Sequence, residues 1–332
     1  MKGRLLVEAI FDFHYPAATL HLAFMSQPDL HHVICSPDTG RRMAYWQWGD
    51  GASGHVVLCV HGLTRQGRDF DVLARDLVEQ ARQLGRSLRV VSVDVAGRGH
   101  SDWLPEAAQY QPLTYLADIQ RLLAQLHAQA PVVSLDWVGT SMGGIIGMLA
   151  AAQPEPAPVA LRRLVLNDVG PVLEWAGLER IRGYVGKVGP FESLAQGMAA
   201  LRAAQIGFGP HTEAQWQALN TPMFKPAGQG ASLDAGPVLL HYDPALAHPF
   251  RTLTPEVHAQ STQVMRQVYA QIRCRTLLVR GAQSELLSRE AAVDMGQSGP
   301  QAQLVEFEGV GHAPTFVAEP QVRAVRDFLL GP

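Results

Sequence analysis

The stretch GTSMGG (139–144) joins an apolar run, VVSLDWV (132–138), to a second apolar segment, residues 142–152. The run predicts a buried strand and the segment predicts a buried helix, so Ser141 is expected on a sharp turn between them. The flanking glycines suit such a turn because a side chain there would collide with neighbouring backbone. The helix N-terminus would direct backbone N–H groups and a positive dipole at developing negative charge. The pattern predicts a nucleophilic serine, with an incidental serine in a glycine-rich turn as the alternative.

Further apolar runs, rich in Val, Leu and Ile, alternate with helical patterns on both sides of this motif. Nearly continuous apolar strands are typical of a parallel sheet covered by helices on both faces. The predicted fold class is therefore α/β, with a mostly parallel eight-stranded sheet. The other predicted strands are HHVICS (31–36) and RMAYWQW (42–48), which form a hairpin, HVVLCV (55–60), RVVSVDV (89–95), RRLVLND (162–168), TLLVRG (276–281) and QLVEFEG (303–309). The predicted flanking helices are 69–84, 114–128, 142–152 and 320–330.

About 105 residues separate the strand that ends at Asp168 from the strand that starts near Thr276. This stretch has helical patterns and Gly/Pro-rich joints but no alternation of strands with helices. Because so long a connection is usually functional or a separate unit, we expect a helical cap inserted after the sixth strand. The expected division is an N-terminal leader (1–30), an α/β core domain (31–171 and 273–332) and the cap domain (172–272). The helices expected in the cap are 173–185, 191–206, 212–219 and 254–271.

His312 lies in GVGHAP (309–314), directly after the last predicted strand and before the last predicted helix. A serine hydroxyl needs a nearby base with a pKa close to 7, which histidine supplies. The glycine before His312 permits the loop to reach over the edge of the sheet. This position makes His312 the candidate base, and a surface loop histidine is the alternative.

Two carboxylates are candidates for the acid that orients the histidine. Glu285 follows the strand TLLVRG (276–281), and Asp168 ends the preceding strand. Both would lie at the carboxyl edge of the sheet, where open α/β sites form. Glu285 is favoured because the later strand is the commoner source of the acid in the order serine, acid, histidine. The alternatives are a helix N-terminal carboxylate for Glu285 and a cap of the first following turn for Asp168.

The oxyanion site needs two backbone N–H donors. The expected donors are Met142, directly after the serine, and Leu63, in the loop HGLTR (61–65) after an early strand. His61 in this loop is expected to be structural rather than a second base. Arg65 is a candidate anchor for a substrate carboxylate, and a solvated loop arginine is at least as common.

The composition restricts the partners of this protein. The 332 residues carry 27 Lys and Arg against 30 Asp and Glu, so the net charge of −3 offers no attraction to nucleic acid. No run of 18 apolar residues predicts a membrane span, and polar residues interrupt the N-terminal apolar stretch. Three dispersed cysteines fit a reducing compartment, so a cytoplasmic location is expected. No metal-binding pattern occurs, and the sequence does not distinguish a monomer from a homodimer.

Five motifs in this order resemble the α/β-hydrolase fold superfamily over about residues 31–330. They are HGLTR (61–65), DVAGRGHSD (94–102), GTSMGG (139–144), the insertion after NDVGP (167–171), and GVGHAP (309–314). The resemblance implies Ser141 as nucleophile, His312 as base, Glu285 as acid and Leu63 and Met142 as oxyanion donors. Many members have Asp at the acid position, which leaves Asp168 open. Members rarely need a cofactor, so none is expected.

The function expected on this basis is that of a carboxylesterase, a serine hydrolase that forms an acyl-enzyme from a small to medium apolar ester. Aromatic residues of the cap would line its pocket or pack the core of the cap itself, namely Trp175, Tyr184, Phe191, Phe208, Trp216 and Phe224. The alternatives with the same triad are a lactonase and a C–C bond hydrolase of ring-fission products. In the latter, Arg65 or Arg180 would hold a carboxylate. The non-enzymatic alternative is a ligand-binding protein of the same fold.

Overall fold

The predicted apolar runs form one large sheet. The computed structural model describes residues 27–154, 159–228 and 230–332. Within these ranges eight strands form the sheet: β1 (Asp29–Ser36), β2 (Arg41–Gly49), β3 (His55–Val60), β4 (Arg89–Asp94), β5 (Ser134–Thr140), β6 (Leu161–Asn167), β9 (Arg275–Gly281) and β10 (Gln303–Phe307). Their spatial order is β1-β2-β4-β3-β5-β6-β9-β10.

The sheet is parallel except at one edge. Strand β2 runs antiparallel to β1 and β4, and every other neighbouring pair is parallel. All six residues of β4 are buried, as expected for a strand covered on both faces. The carboxyl ends of β3, β5, β6 and β9 therefore meet at one edge, where an α/β sheet forms its site. The predicted fold class is confirmed.

Helices cover both faces of the sheet. In the described residues they are α1 (Asp71–Gln83), α2 (Pro112–Gln129), α3 (Met142–Ala151), α4 (Trp175–Tyr184), α5 (Leu194–Ala204), α6 (Glu213–Asn220), α7 (His248–Arg251), α8 (Pro255–Gln271), α9 (Arg289–Gln297) and α10 (Glu319–Leu330). Helices α1 and α10 bury Leu73 and Val325 in the core of one face. Helices α2 and α3 bury Leu122 and Ile146 in the core of the other. Each such side chain contributes about 1.5–3 kcal/mol of apolar burial.

Helices α4 to α8 lie between β6 and β9, and all of them except α7 correspond to helices that the sequence predicts. This inserted segment (residues 172–272) also contains a small antiparallel pair, β7 (Phe224–Pro226) and β8 (Val238–Leu240), which the sequence analysis does not predict. Each of these strands has three residues, too few for a periodic signal. The Gly99 N–H donates to the His241 carbonyl at 3.0 Å, which joins the inserted segment to the loop after β4.

The predicted leader (1–30) lies mostly outside the described residues. Its last two residues belong to the sheet, because β1 begins at Asp29. Among the helices of the described ranges, none is long and apolar enough to cross a membrane.

Candidate active site

Ser141 stands between β5 and α3 in a strained backbone conformation, with φ 52° and ψ −117°. The backbone around it leaves no room for side chains. A Cβ on Gly143 would lie 2.0 Å from the Val60 carbonyl oxygen, and one on Gly139 would lie 2.3 Å from the Gly143 carbonyl oxygen. The glycines are thus required for the turn that projects the serine.

His312 connects this serine to a buried carboxylate. Its Nε2 lies 2.9 Å from Ser141 Oγ, and its Nδ1 lies 2.7 Å from Asp168 Oδ2. With Nδ1–H donating to the carboxylate, Nε2 is left to accept the serine proton. The three side chains therefore form one hydrogen-bonded chain across the carboxyl edge of the sheet.

The Asp168 carboxylate is completely buried and has several donors. Besides His312, its Oδ2 accepts from the Ser284 hydroxyl at 2.6 Å, and its Oδ1 accepts from the Gly281 N–H at 3.0 Å. Both donors belong to the end of β9 and the loop after it. A buried carboxylate needs such partners, and they hold this one in a single orientation.

The expected pairing of Glu285 with His312 is wrong, because Asp168 occupies that place. The Glu285 side chain is 49% exposed and pairs with the Arg180 guanidinium. The loop after β9 does contribute to the site, but through its neighbour Ser284, whose hydroxyl points to Asp168. The sequence order serine, acid, histidine holds with Asp168.

The loop after β3 places Leu63 beside the serine. Leu63 and Ser141 line the same cavity. The Leu63 carbonyl accepts from Arg98 Nε at 2.8 Å, and this completely buried arginine also reaches the Met142 sulfur at 3.2 Å. Met142 opens α3, so its N–H has no partner within the helix. Arg98 thus joins the two segments that carry the expected oxyanion donors.

His61 is a structural residue of this loop. Its Nε2 accepts from the Val95 N–H at 3.0 Å, which leaves Nδ1–H to donate to the Gly62 carbonyl at 2.7 Å. Complete burial, with Arg98 nearby, lowers the pKa of His61 to about 3. The imidazole is therefore neutral, and both of its nitrogens are used in fixing the loop.

A cavity of about 280 Å³ lies between the serine and the inserted segment. Ser141 and His312 form part of its floor, and residues from α4 and from the end of α5 face them. Its lining includes the cationic side chains Arg65, Arg180 and Lys187, but no carboxylate among the described residues. Other residues that line it include Leu63, Tyr184, Phe191, Gln205 and Phe208. This volume is just below the usual range for ligand sites, roughly 300–1,000 Å³.

Of the four expected substrate-binding residues, Tyr184 and Arg65 line the cavity. Trp175 does not, because the first turn of α4 points it at His258, with ring centroids 5.7 Å apart. Trp216 does not either, since its ring stacks on that of Phe208, with the ring centroids 6.4 Å apart. These two tryptophans pack the inserted segment rather than the cavity.

The Arg65 guanidinium is not available to a substrate carboxylate. It forms a bidentate ion pair with the Asp69 carboxylate. It also donates to Asn220 Oδ1 at 2.8 Å and to the Leu219 carbonyl at 2.9 Å. Only 7% of the residue is exposed. Arg65 therefore joins the loop after β3 to the end of α6, and the expected anchoring role is wrong.

Sequence reasoning missed four residues that shape this site. Ser284 and Arg98 act through contacts with residues far away in the chain. Asn167 Nδ2 donates to the Pro314 carbonyl at 2.8 Å, which ties the His312 loop to β6. Gln205 lines the cavity from the end of α5. Arg98 lies in the glycine-rich motif after β4, so the sequence did single out its loop. No sequence pattern distinguishes Gln205 from other polar residues of the inserted segment.

The comparisons with known proteins agree with this architecture. The model of the alpha/beta hydrolase family matches residues 57–325. A 3-hydroxybutyrate-oligomer hydrolase from Cupriavidus necator is 43% identical over 307 residues, 92% of this chain and 99% of that protein. A pimeloyl-(acyl-carrier protein) methyl ester esterase from Yersinia pseudotuberculosis is 26% identical over 243 residues, 72% of this chain and 81% of that protein.

Solved structures extend the likeness to three dimensions. An alpha/beta hydrolase from Novosphingobium aromaticivorans aligns with a TM-score of 0.73 and 31% identity, over 92% of this chain and 99% of that one. Its similarity therefore includes both the sheet and the inserted segment. From the family match over most of its length and from these relatives, the chain belongs to the alpha/beta hydrolase family.

Proposed function

We propose that this protein is a serine esterase that hydrolyses short oligomers of 3-hydroxybutyrate. The observation that carries the proposal is the hydrogen-bonded chain from Asp168 through His312 to Ser141, which opens on a cavity that Leu63 also lines. The 43% identity with a 3-hydroxybutyrate-oligomer hydrolase, over 92% of this chain, supports the choice of substrate.

In the acylation step, Ser141 Oγ attacks the ester carbonyl carbon while its proton passes to His312 Nε2. The tetrahedral oxyanion accepts hydrogen bonds from the N–H groups of Leu63 and Met142. Asp168 holds the imidazole in the correct tautomer and stabilises the imidazolium. When the C–O bond breaks, the leaving alcohol takes the proton from His312, and the acyl group remains on Ser141.

In the deacylation step, water attacks the acyl-enzyme. His312 accepts one proton of the water, and the same donors stabilise the second oxyanion. The intermediate then breaks its bond to Ser141 Oγ, which recovers the proton from His312. The products are a carboxylic acid and an oligomer shortened by the acyl part, with no other reactant consumed.

The charge and size of the cavity suit a short anionic ester. An oligomer of 3-hydroxybutyrate has one carboxylate, at one end, and its ester bonds are neutral. Three cations line the cavity. Arg65 is paired with Asp69, and Arg180 is paired with Glu285. Lys187 has no carboxylate within 4 Å in the described part of the chain, so it is the cation free to attract the carboxylate of the oligomer.

The inserted segment (172–272) acts as a cap in this proposal. Its residues Tyr184 and Phe208 line the same cavity as Ser141. A cap over the site excludes bulk solvent, so that the oxyanion hydrogen bonds form in a medium of low dielectric constant and are stronger there. The tie from Arg65 to Leu219 and Asn220 holds the cap to the core at this point.

The test measures release of 3-hydroxybutyrate from its dimer and trimer, with p-nitrophenyl esters of C2 to C12 acids as general probes. We expect turnover of the oligomers and of short acyl esters. Ser141→Ala should lower kcat by about 10⁴-fold or more while leaving the melting temperature near that of the wild type. A folded wild-type protein that hydrolyses neither the oligomers nor any of the esters would refute the proposal.

A further inference from the structure

Gln205 lines the cavity, and its side chain has a buried oxygen without a hydrogen-bond partner among the described residues. Gln205 follows the last residue of α5 and lines the same cavity as Ser141 and His312. Its Oε1 is buried, yet it accepts no hydrogen bond from any described residue. A buried carbonyl oxygen without a donor is costly, so such a group in a ligand cavity calls for a partner supplied by the ligand.

The backbone around Gln205 is fixed against the loop that carries the histidine. The Phe208 N–H donates to the Gln205 carbonyl at 2.9 Å, and the Gly311 N–H donates to the Gly207 carbonyl at 2.5 Å. His211 Nε2 lies 2.8 Å from Thr315 Oγ1, a second link between the same two segments. The backbone of Gln205 is therefore fixed beside the loop of His312, so only the side chain has to rotate for its buried Oε1 to meet a substrate.

The chemistry of the oligomer identifies the group that can satisfy this oxygen. Ester and ionised carboxylate oxygens only accept hydrogen bonds. The one donor on a 3-hydroxybutyrate chain is the free hydroxyl at its end. When the terminal unit is the acyl part, this hydroxyl is on C3, two bonds from the carbonyl carbon that Ser141 attacks, so it enters the cavity with the reacting carbonyl.

We propose that the Gln205 carboxamide binds the free 3-hydroxyl of the acyl group and selects 3-hydroxyacyl esters over plain acyl esters. This inference rests on the proposed function and adds to it the orientation in which the oligomer binds. The hydroxyl end of the oligomer enters the acyl site, and each turnover releases one hydroxyl-terminal 3-hydroxybutyrate unit. An oligomer whose hydroxyl is blocked presents no donor to Gln205 and is a poor substrate.

The experiment compares p-nitrophenyl 3-hydroxybutyrate with p-nitrophenyl butyrate, which differ only by the hydroxyl. We expect the wild-type kcat/KM to favour the hydroxylated ester at least about tenfold, since a site built to bind a hydroxyl discriminates against its absence. In Gln205→Leu and in Gln205→Met this ratio should fall to near one. The kcat/KM for butyrate should fall by a clearly smaller factor than that for the hydroxylated ester, because butyrate has no hydroxyl for the carboxamide to bind.

The matched control is Gln263→Leu, the same change on an exposed turn of α8 that lines no part of this cavity. It should retain the wild-type ratio. A second measurement compares the free dimer with the dimer acetylated at its hydroxyl, and only the wild type and the control should prefer the free dimer.

The outcomes separate this inference from the proposed function. A hydroxyl preference that survives in both Gln205 variants would overturn the inference, and so would an equal loss on the two esters, since that marks a structural role. Turnover of butyrate by the wild type without any hydroxyl preference would leave the esterase proposal standing and overturn the role of Gln205. Absence of turnover on every ester would overturn both.

Discussion

His312 Nδ1 lies 2.7 Å from Asp168 Oδ2, although 144 residues separate the two in the chain. The contact depends on the pairing of β6 with β9, which places Asn167 beside Val279 and lets the Asp168 N–H donate to the Val279 carbonyl at 2.7 Å. Through this pairing, the loop after β9 supplies hydrogen-bond donors to the carboxylate rather than a carboxylate of its own.

The first prediction concerns the two candidate acids. Asp168→Asn should lower kcat for a p-nitrophenyl ester by about 10³- to 10⁴-fold, because the amide no longer enforces the tautomer that leaves Nε2 free to accept. Glu285→Gln should retain at least half of the wild-type kcat, since its side chain pairs with Arg180 and is 49% exposed. Circular dichroism would establish that both variants fold. Loss of kcat in Glu285→Gln with full activity in Asp168→Asn would reverse the assignment.

The second prediction concerns the turn that holds the serine. Gly143→Ala should abolish turnover and lower stability, because its Cβ would lie 2.0 Å from the Val60 carbonyl oxygen. Gly183→Ala is the matched control. It lies in α4, where an added Cβ meets nothing within 4 Å, so we expect full activity and a stability gain of about 0.5–1 kcal/mol. Ester turnover and urea unfolding check both, and an active Gly143→Ala enzyme would contradict the structure of the turn.

The third prediction concerns the free cation in the cavity. Lys187→Met should raise KM for the 3-hydroxybutyrate dimer about two- to fivefold at low salt, the size expected for a partly exposed ion pair. KM for the methyl ester of the dimer, which has no charge, should not change. Added salt should raise the wild-type KM for the acid towards that of the variant.

Lys225→Met, at the lysine that lies 4.8 Å from the Trp103 ring, is the control. Equal effects on acid and ester would exclude carboxylate binding by Lys187.

The fourth prediction concerns the tie between the core and the inserted segment. Arg65→Met leaves the Asp69 carboxylate without its partner in a site where burial raises its pKa. We expect a loss of about 3–5 kcal/mol in the free energy of unfolding. The double variant Arg65→Met/Asp69→Leu should recover much of that loss, because no charge remains buried. Urea unfolding measures this cycle, and additive effects of the two changes would argue against the pair.

The fifth prediction concerns the acid sensitivity of the fold. His61 has a pKa near 3 in the folded protein and about 6.5 when unfolded, so the unfolded chain binds the extra proton between these values. The free energy of unfolding should therefore fall as the pH drops from about 6.5 towards 3, by up to about 1.4 kcal/mol per pH unit from this group. His61→Gln should lower stability at pH 7 but remove this part of the slope. Urea unfolding at pH 7 and pH 5 gives the slopes, and identical slopes would contradict the assignment.

Local patterns were sufficient for most of the fold. Each strand of the large sheet and each long helix of the core is marked by apolar spacing over several residues, and such spacing is readable in the chain. The strands β7 and β8 and the helices α7 and α9 were missed, because they are short or weakly patterned. The domain boundaries and the cap role remain predictions.

The sequence by itself determined the sharp turn at Ser141 and the loop position of His312, since a strand, a glycine turn and a helix specify each locally. Only the tertiary structure decided between Asp168 and Glu285, tied Arg65 to α6, turned Trp175 and Trp216 away from the cavity, and left the Gln205 carboxamide without a donor. These features depend on which strands become neighbours and on which way side chains point across a shared edge. Spacing along the chain has no information about either, because both are properties of the packed sheet.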